Sequence, residues 1–346
     1  MSTNAGFGPL AGNVAPEQFA TMSASERPIL LVICDTEEEF PWDQPFDRAN
    51  TAVSAMSQVF RGQDIFDRYN IRPCYVSDYP VISQHDGSQP LREIHADGRC
   101  EIGAHLHPWV TPPHEEAVHP ANSYPGNLPH ALEEAKLATL NAKITEVFGQ
   151  PAATYKAGRY GVGPNTGAIL EKHGFNVDLS ILTDFDFSAD QGPDFSGYPT
   201  SPYWFGQARR MLCVPSTASV VGPGTHLRLA AMSLAGHPAM LKLRLPGIFS
   251  RVGLADRLNL SNENYSLDEN IKLTRWLLAR GEKIFSYSFH SPSLKPGCTP
   301  YVRNEQQLGK FLDQFQAYFD FFFGELNGVA MSPSELFEHL AQQDNG

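Results

Sequence analysis

The stretch ILLVICDTEEEF at residues 29–40 decides how this chain reads. Ile29 to Cys34 is a continuous apolar run, the mark of a strand covered on both faces, as in the parallel sheets of α/β proteins. Directly after it come Asp35, Thr36, Glu37, Glu38 and Glu39. Carboxylates that follow an apolar strand need water, a partner or a metal ion. In extended backbone Asp35 and Glu37 point to the same side, which leaves Glu38 and Glu39 to solvent.

Working outward, the same alternation of strand and helix recurs. Strands are expected at 73–76, 100–105, 154–157, 176–181, 212–214 and 283–290. Helices are expected at 51–69, 90–97, 129–148, 164–173 and 267–280, the last opened by a capping box of Ser266 and Glu269. Asn304 caps a helix carrying Leu308, Phe311 and Phe315, and Ser332 with Glu335 opens a final one. No Ser- or Pro-rich linker divides this repetition. The expectation is therefore a single α/β barrel domain over 28–346, with 1–27 as a flexible leader and insertions near 106–128 and 183–210. Within the second insertion, Tyr203-Trp204-Phe205 reads either as a surface that stacks a sugar or as core.

Composition narrows the function. The 346 residues hold 26 Lys and Arg against 38 Asp and Glu, a formal charge of −12, with no basic run. That argues against a nucleic-acid partner, whose phosphates need clustered cations. No apolar stretch reaches the ~18–20 residues that span a bilayer. Residues 1–27 show neither the positive start nor the apolar segment of a secretory signal, so cytoplasmic residence is the expectation. The five cysteines are scattered with no CxxC spacing, which argues against a disulfide framework or a zinc finger, and Cys34 and Cys100, in apolar strand-like runs, read as buried reduced thiols. Oligomeric state is left open.

Barrels of this class carry their functional groups at the C-terminal ends of strands. There the sequence places His105 and His107, an HxH pair sharing one face by the period of two. Two imidazoles and one carboxylate leave open positions on a metal, the arrangement of a catalytic site. Arg159 stands between Gly158 and Tyr160-Gly161, where its two-pronged guanidinium is able to orient a carboxylate. His290 ends a strand on the face of Ile284, Ser286 and Ser288, a position suited to a general acid. His114, His119 and His130 lie in or near the Pro-rich loop. His85, His95, His173, His226, His237 and His339 read as surface or packing residues.

In this order the motifs resemble the polysaccharide deacetylase family, also called NodB-like or carbohydrate esterase family 4, from about residue 28 to 325. Residues 101–105 resemble its second motif, Arg159-Tyr160-Gly161 its third and Ser288 to Ser291 its fifth. The wording DTEEEF, GAHLHPW, GRYG and FHSPSLKPG is most similar to the WalW-like branch. The resemblance implies a distorted (β/α)7 barrel of the NodB-homology type and metal-dependent removal of an N-acetyl group from an amino sugar or polysaccharide. It implies Asp35 as general base and Glu37, His105 and His107 as ligands of a divalent ion, with zinc best suited to that set. It implies Arg159 as the brace of the base, the Tyr160 backbone N–H as oxyanion donor and His290 as general acid. Two departures stand out. Thr36 separates Asp35 from Glu37, so their roles are exchangeable, and the histidines are spaced HxH, which keeps His114 as an alternative ligand. The resemblance matches Asp178 to the aspartate that tunes the acid. Two other readings remain: a hydrolase of another C–N bond on the same barrel, and a glycan-binding protein without turnover.

Overall fold

The computed structural model describes residues 8–23, 25–222 and 256–344. Strands β1 (Ile29–Thr36), β2 (Cys74–Ser77), β3 (Glu101–Leu106), β4 (Thr154–Ala157), β5 (Val177–Asp178), β6 (Tyr203–Phe205) and β7 (Met211–Cys213) come first. β8 (Ala218–Val221), β9 (Asp256–Asn259), β10 (Ile284–His290) and β11 (Val329–Ala330) follow. The main sheet runs β10-β1-β2-β3-β4-β5-β7-β6. Its first seven strands are parallel, and the edge strand β6 is antiparallel to β7. This is the curled parallel sheet of a (β/α)7 barrel. β8 and β9 form an antiparallel pair. The gap between β7 and β10 is bridged by Thr217 N donating to Ser286 Oγ at 3.1 Å and Ser288 N donating to Leu260 O at 3.1 Å.

The helices are α1 (Phe60–Arg68), α2 (Tyr79–Ser83), α3 (His85–Ala96), α4 (His130–Phe148), α5 (Thr166–Lys172), α6 (Leu267–Leu278), α7 (Glu305–Phe319) and α8 (Pro333–Gln343). Both expected capping boxes are present, at Ser266 with Glu269 and at Ser332 with Glu335. Gly149 ends α4 in the left-handed region, φ 79°, which a residue without Cβ adopts freely. Some boundaries differ from expectation. The 51–69 helix begins as a 3-10 turn over Ser54–Gln58. The 176–181 strand stops at Asp178, whose carboxylate accepts from Ser180 N at 2.9 Å and Ser180 Oγ at 2.7 Å, a local bond that turns the chain out of the ladder.

Strand parity sorts β1 onto two cores. Leu30, Val32 and Cys34 belong to the large cluster that also takes Leu137, Leu140, Phe315 and Phe319 from the helices. Ile29, Leu31 and Ile33 face inward with Val76, Leu212 and Ile284, against Leu336 and Leu340 of α8. The inward parity continues to Asp35. Tyr203, Trp204 and Phe205 are buried in β6, so they are core and line no part of the candidate site. The stretch expected as a flexible leader packs over its described part: Leu10 and Gln18 are buried, and Tyr203 Oη donates to Leu10 O at 2.6 Å. His226 and His237 lie outside the described residues. No helix among the described residues is long and apolar enough to cross a membrane.

Candidate active site

Register brings the strand ends together. Asp35 on β1 stands opposite His290 on β10, and His105 on β3 opposite Lys156 on β4. Above them is a cavity of about 420 Å³, within the ~300–1,000 Å³ range of ligand pockets. Asp35, Glu37, His105, His107, Lys156 and His290 all line it.

Glu37 lies just past the end of β1, where its N–H donates to Ser291 Oγ at 3.3 Å. One of its carboxylate oxygens, Oε2, is 3.5 Å from His107 Nε2 and 3.8 Å from His105 Nε2. Its other oxygen, Oε1, is buried without a hydrogen-bond partner. The outer nitrogens of both rings are occupied. His105 Nδ1 donates to Lys156 O at 2.9 Å, and His107 Nδ1 donates to Glu38 Oε2 at 2.8 Å. Each ring therefore turns an Nε2 lone pair toward Glu37. Burial lowers the pKa of both histidines, that of His107 to about 4, so the rings stay neutral as ligands must. Metal–ligand bonds of ~2.0–2.2 Å at tetrahedral angles separate donor atoms by about 3.4 Å. The three residues thus fit a divalent ion, and the partnerless Glu37 oxygen adds to the fit.

Glu38 and Glu39, expected in solvent, are held by protein. Glu38 is fully buried: Trp109 Nε1 donates to its Oε1 at 2.7 Å, and its own N–H donates to Asp78 Oδ2 at 2.7 Å. Burial pushes its pKa up to about 7. Glu39 accepts from Ala55 N at 2.6 Å. Asp35 and Glu37 do face the same cavity, but the other side of the chain is covered by Trp109, Asp78 and the Ala55 backbone where solvent was expected.

Asp35 is bridged on both oxygens by Lys156 Nζ, at 2.6 and 2.7 Å. Burial raises its pKa, but the Lys156 charge, the His290 charge and the Lys156 hydrogen bond outweigh this and hold it below the ordinary carboxylate value. The expected brace, Arg159, goes elsewhere. Its guanidinium donates to Ser123 Oγ and Asp190 and lies 4.1 Å over the Tyr124 ring. The cause is backbone: Arg159 and Tyr160 both have positive φ, 56° and 57°, a rare and strained conformation for side-chain-bearing residues. Gly158 just before them allows β4 to approach β3. A Cβ there would lie 2.5 Å from His107 Cδ2 and 2.6 Å from Leu106 O. Tyr160 reaches the cavity wall beneath Lys156, whose Nζ is 5.0 Å from its ring centre.

His290 Nδ1 pairs with Glu263 Oε2 at 2.6 Å, and its N–H donates to Glu263 Oε1 at 3.1 Å. Its Nε2 is 3.7 Å from Asp35 Oδ2. Burial disfavours the charged ring, yet Glu263, Glu37 and Asp35 together raise its pKa to about 10. Asp178, the expected partner of the acid, instead accepts from Ser180. His114 is exposed and stands apart from the metal-competent groups found among the described residues.

Sequence reasoning missed Lys156, Glu38 and Glu263. A lone lysine in the buried strand Thr154–Ala157 was a readable signal, since a charge there requires a partner. Glu263 follows β9 in a loop fixed by Asn270 Nδ2 donating to Ser261 O at 2.7 Å. No local pattern marks it.

Solved structures share this architecture. The chain matches a protein from Mycobacterium smegmatis, provisionally assigned as a polysaccharide deacetylase, at 16% identity over 97% of this chain and 95% of that one, TM-score 0.50. It matches another so assigned from Pseudomonas aeruginosa at 15% identity over 91% of each chain, TM-score 0.50. The chain has the polysaccharide-deacetylase fold. A glycoside hydrolase/deacetylase, again a provisional assignment, from Parabacteroides distasonis matches with TM-score 0.58 at 11% identity, over 95% of this chain and 73% of that one. At these identities the likeness speaks for the fold. No protein-family model and no curated protein matches the sequence. The WalW-like likeness rests on the motifs alone.

Proposed function

We propose that this chain is a metal-dependent hydrolase that removes an N-acetyl group from an amino sugar or polysaccharide. One observation carries the reading. The donor atoms of Glu37, His105 and His107 converge beside an Asp35–Lys156 pair and a His290–Glu263 pair in one cavity. Zinc suits that donor set best. A bound divalent ion would acidify water and polarise the amide carbonyl.

The chain's own groups perform the proton work. Asp35, kept ionised by Lys156, accepts the proton of the attacking water. His290, kept protonated by Glu263, delivers a proton to the leaving nitrogen. The Tyr160 backbone N–H serves as an oxyanion donor, a contribution of about 3–4 kcal/mol in comparable sites. Asp35 as base and Glu37 as ligand is preferred over the exchanged roles, because Glu37 is the carboxylate that faces both histidine Nε2 atoms and keeps an oxygen without a partner, while Asp35 stands between Lys156 and His290 with an acceptor site left on each oxygen. Arg159 acts on the substrate side of the cavity, with Lys156 bracing the base in its place.

The test pairs metal analysis of the purified protein with acetate release from N-acetylglucosamine and its oligomers. Stoichiometric zinc and steady acetate release are expected, with both lost in His105→Ala. Retention of both in that variant overturns the assignment. Binding of the sugar without acetate release at full metal occupancy would favour a carbohydrate-binding role.

A further inference from the structure

The mouth of the cavity carries a feature that the hydrolytic chemistry leaves unused. Residues 40–51 form a loop whose ends are pinned together, since Glu39 N donates to Ala52 O at 2.8 Å. A compact loop with near-touching ends that is packed by its own side chains is an Ω-loop, a form that often carries function. Here the packing is aromatic. The Phe40 ring stacks on Trp42 at 5.1 Å and contacts Phe46 at 5.7 Å. The outer residues Asp43, Gln44 and Asp47 are exposed and polar. The loop is also tied down from outside, by Arg48 donating to Glu116 O and Gln84 Nε2 donating to Thr51 O at 2.7 Å.

These rings join others into an unbroken arc. Tyr301, beyond β10, meets Trp42 at 5.3 Å. Trp42 continues through Phe40 to Phe46, over which the Arg159 guanidinium sits at 5.1 Å. Arg159 in turn covers Tyr124 at 4.1 Å. All six side chains line the cavity. The arc therefore runs along the mouth from the end of β10, past β1, β2 and β3, to the end of β4. Trp42 also touches the His290 ring edge-on at 5.2 Å, so the wall rises directly beside the proposed acid.

A unit inside a polymer has a neighbour at each end, and binding it across the site requires two exits from the mouth. A terminal or free sugar requires one. Resting on the hydrolase reading above, we propose that the Phe40–Trp42–Phe46 arc blocks one exit, so that the site accepts a free or chain-terminal N-acyl sugar and rejects the interior units of a polymer. The rings supply flat apolar faces for the sugar, and the arc sets specificity without joining the proton transfers.

The test uses the zinc-loaded full chain and a defined N-acetylglucosamine oligomer, with the position of each lost acetyl read by mass spectrometry. Wild type is expected to deacetylate one terminal unit. Trp42→Ala and Phe46→Ala are expected to admit interior units and to raise KM for the free sugar by about tenfold, the scale of a lost aromatic contact. Trp42→Phe and Phe46→Leu keep the comparison valid if the alanine variants fold poorly. Interior deacetylation by wild type at the terminal rate overturns the proposal. Acetate release from no sugar at all would instead sink the hydrolase reading. The arc is then judged by tryptophan fluorescence: saturable quenching by N-acetylglucosamine, with soluble polymer competing only in proportion to its chain ends, sustains it, and equal polymer affinity per unit refutes it.

Discussion

Glu263→Gln isolates the electrostatics of the proposed acid. The substitution keeps the size and an acceptor oxygen beside His290 Nδ1, removes the charge, and replaces the oxygen that accepts from His290 N with an amide group. In the native site the His290 pKa rises from the ordinary 6.5 to about 10, which at 1.36 kcal/mol per pH unit is about 5 kcal/mol of preference for the charged ring. Burial acts against that preference, and Glu263 is the largest of the groups that create it, followed by Glu37 and Asp35. Assigning Glu263 about half, its loss should lower the His290 pKa by about two pH units. A divalent ion on Glu37 cancels part of the remainder, so the limb of the loaded wild-type enzyme should lie somewhat below 10 and that of the variant lower again. The assay is kcat/KM for acetate release between pH 6 and 11, with His290 required in its protonated form. The alkaline limb should move down, and a limb that stays in place refutes His290 as the acid. Stability gives an independent check. A group whose folded pKa exceeds its unfolded one stabilises fully below the unfolded value and progressively less as pH rises through the folded value. Urea unfolding should therefore show the largest deficit for Glu263→Gln near pH 6 and a small one near pH 10.

Further outcomes follow from the same geometry. Lys156→Met leaves the Asp35 charge buried without its partner and should cost about 3–5 kcal/mol in urea unfolding at pH 7. Because the Asp35 pKa is held low in the folded protein, its acid limb of kcat/KM should move to higher pH in that variant, and an unmoved limb would remove Lys156 from its role. Glu38→Gln loosens the hold on His107 and should weaken zinc affinity about 10–100-fold in chelator competition, with the fold intact by circular dichroism. Gly158→Ala pushes a Cβ into His107 and the Leu106 carbonyl and should lower both Tm and zinc affinity. Gly309→Ala, at an exposed helical position with open space around it, should be neutral or stabilising by up to about 1 kcal/mol.

Much of the architecture is legible in the sequence because it is written in local patterns. The apolar run 29–34, the alternation at 284–290 and the two capping boxes each declare an element within a few residues. The strand ends likewise declare Asp35, Glu37, His105, His107 and His290, and the structure brings all five to one cavity. What stayed hidden depends on distant packing. Glu263 reaches His290 across 27 positions and Lys156 reaches Asp35 across 121. Glu38 was misread for the same reason, since Trp109, His107 and Asp78 that cover it stand 40 to 71 positions away. Arg159 was misplaced because two successive left-handed residues send its side chain toward Asp190, which no composition rule foretells.

The C-terminal helix α8 has a consequence beyond packing. Leu336 and Leu340 plug the inner face of the sheet below Asp35, and Ser334 N holds Glu101 Oε2 at 3.0 Å. The floor beneath the acidic and basic groups, as far as the described residues form it, is thus an apolar, low-permittivity medium. The strength of the Lys156 and Glu263 couplings depends on that floor as well as on their distances. Removing α8 would let water in from behind and weaken every charge pair above it, so the last turns of the chain act on proton affinities at the far end of the sheet.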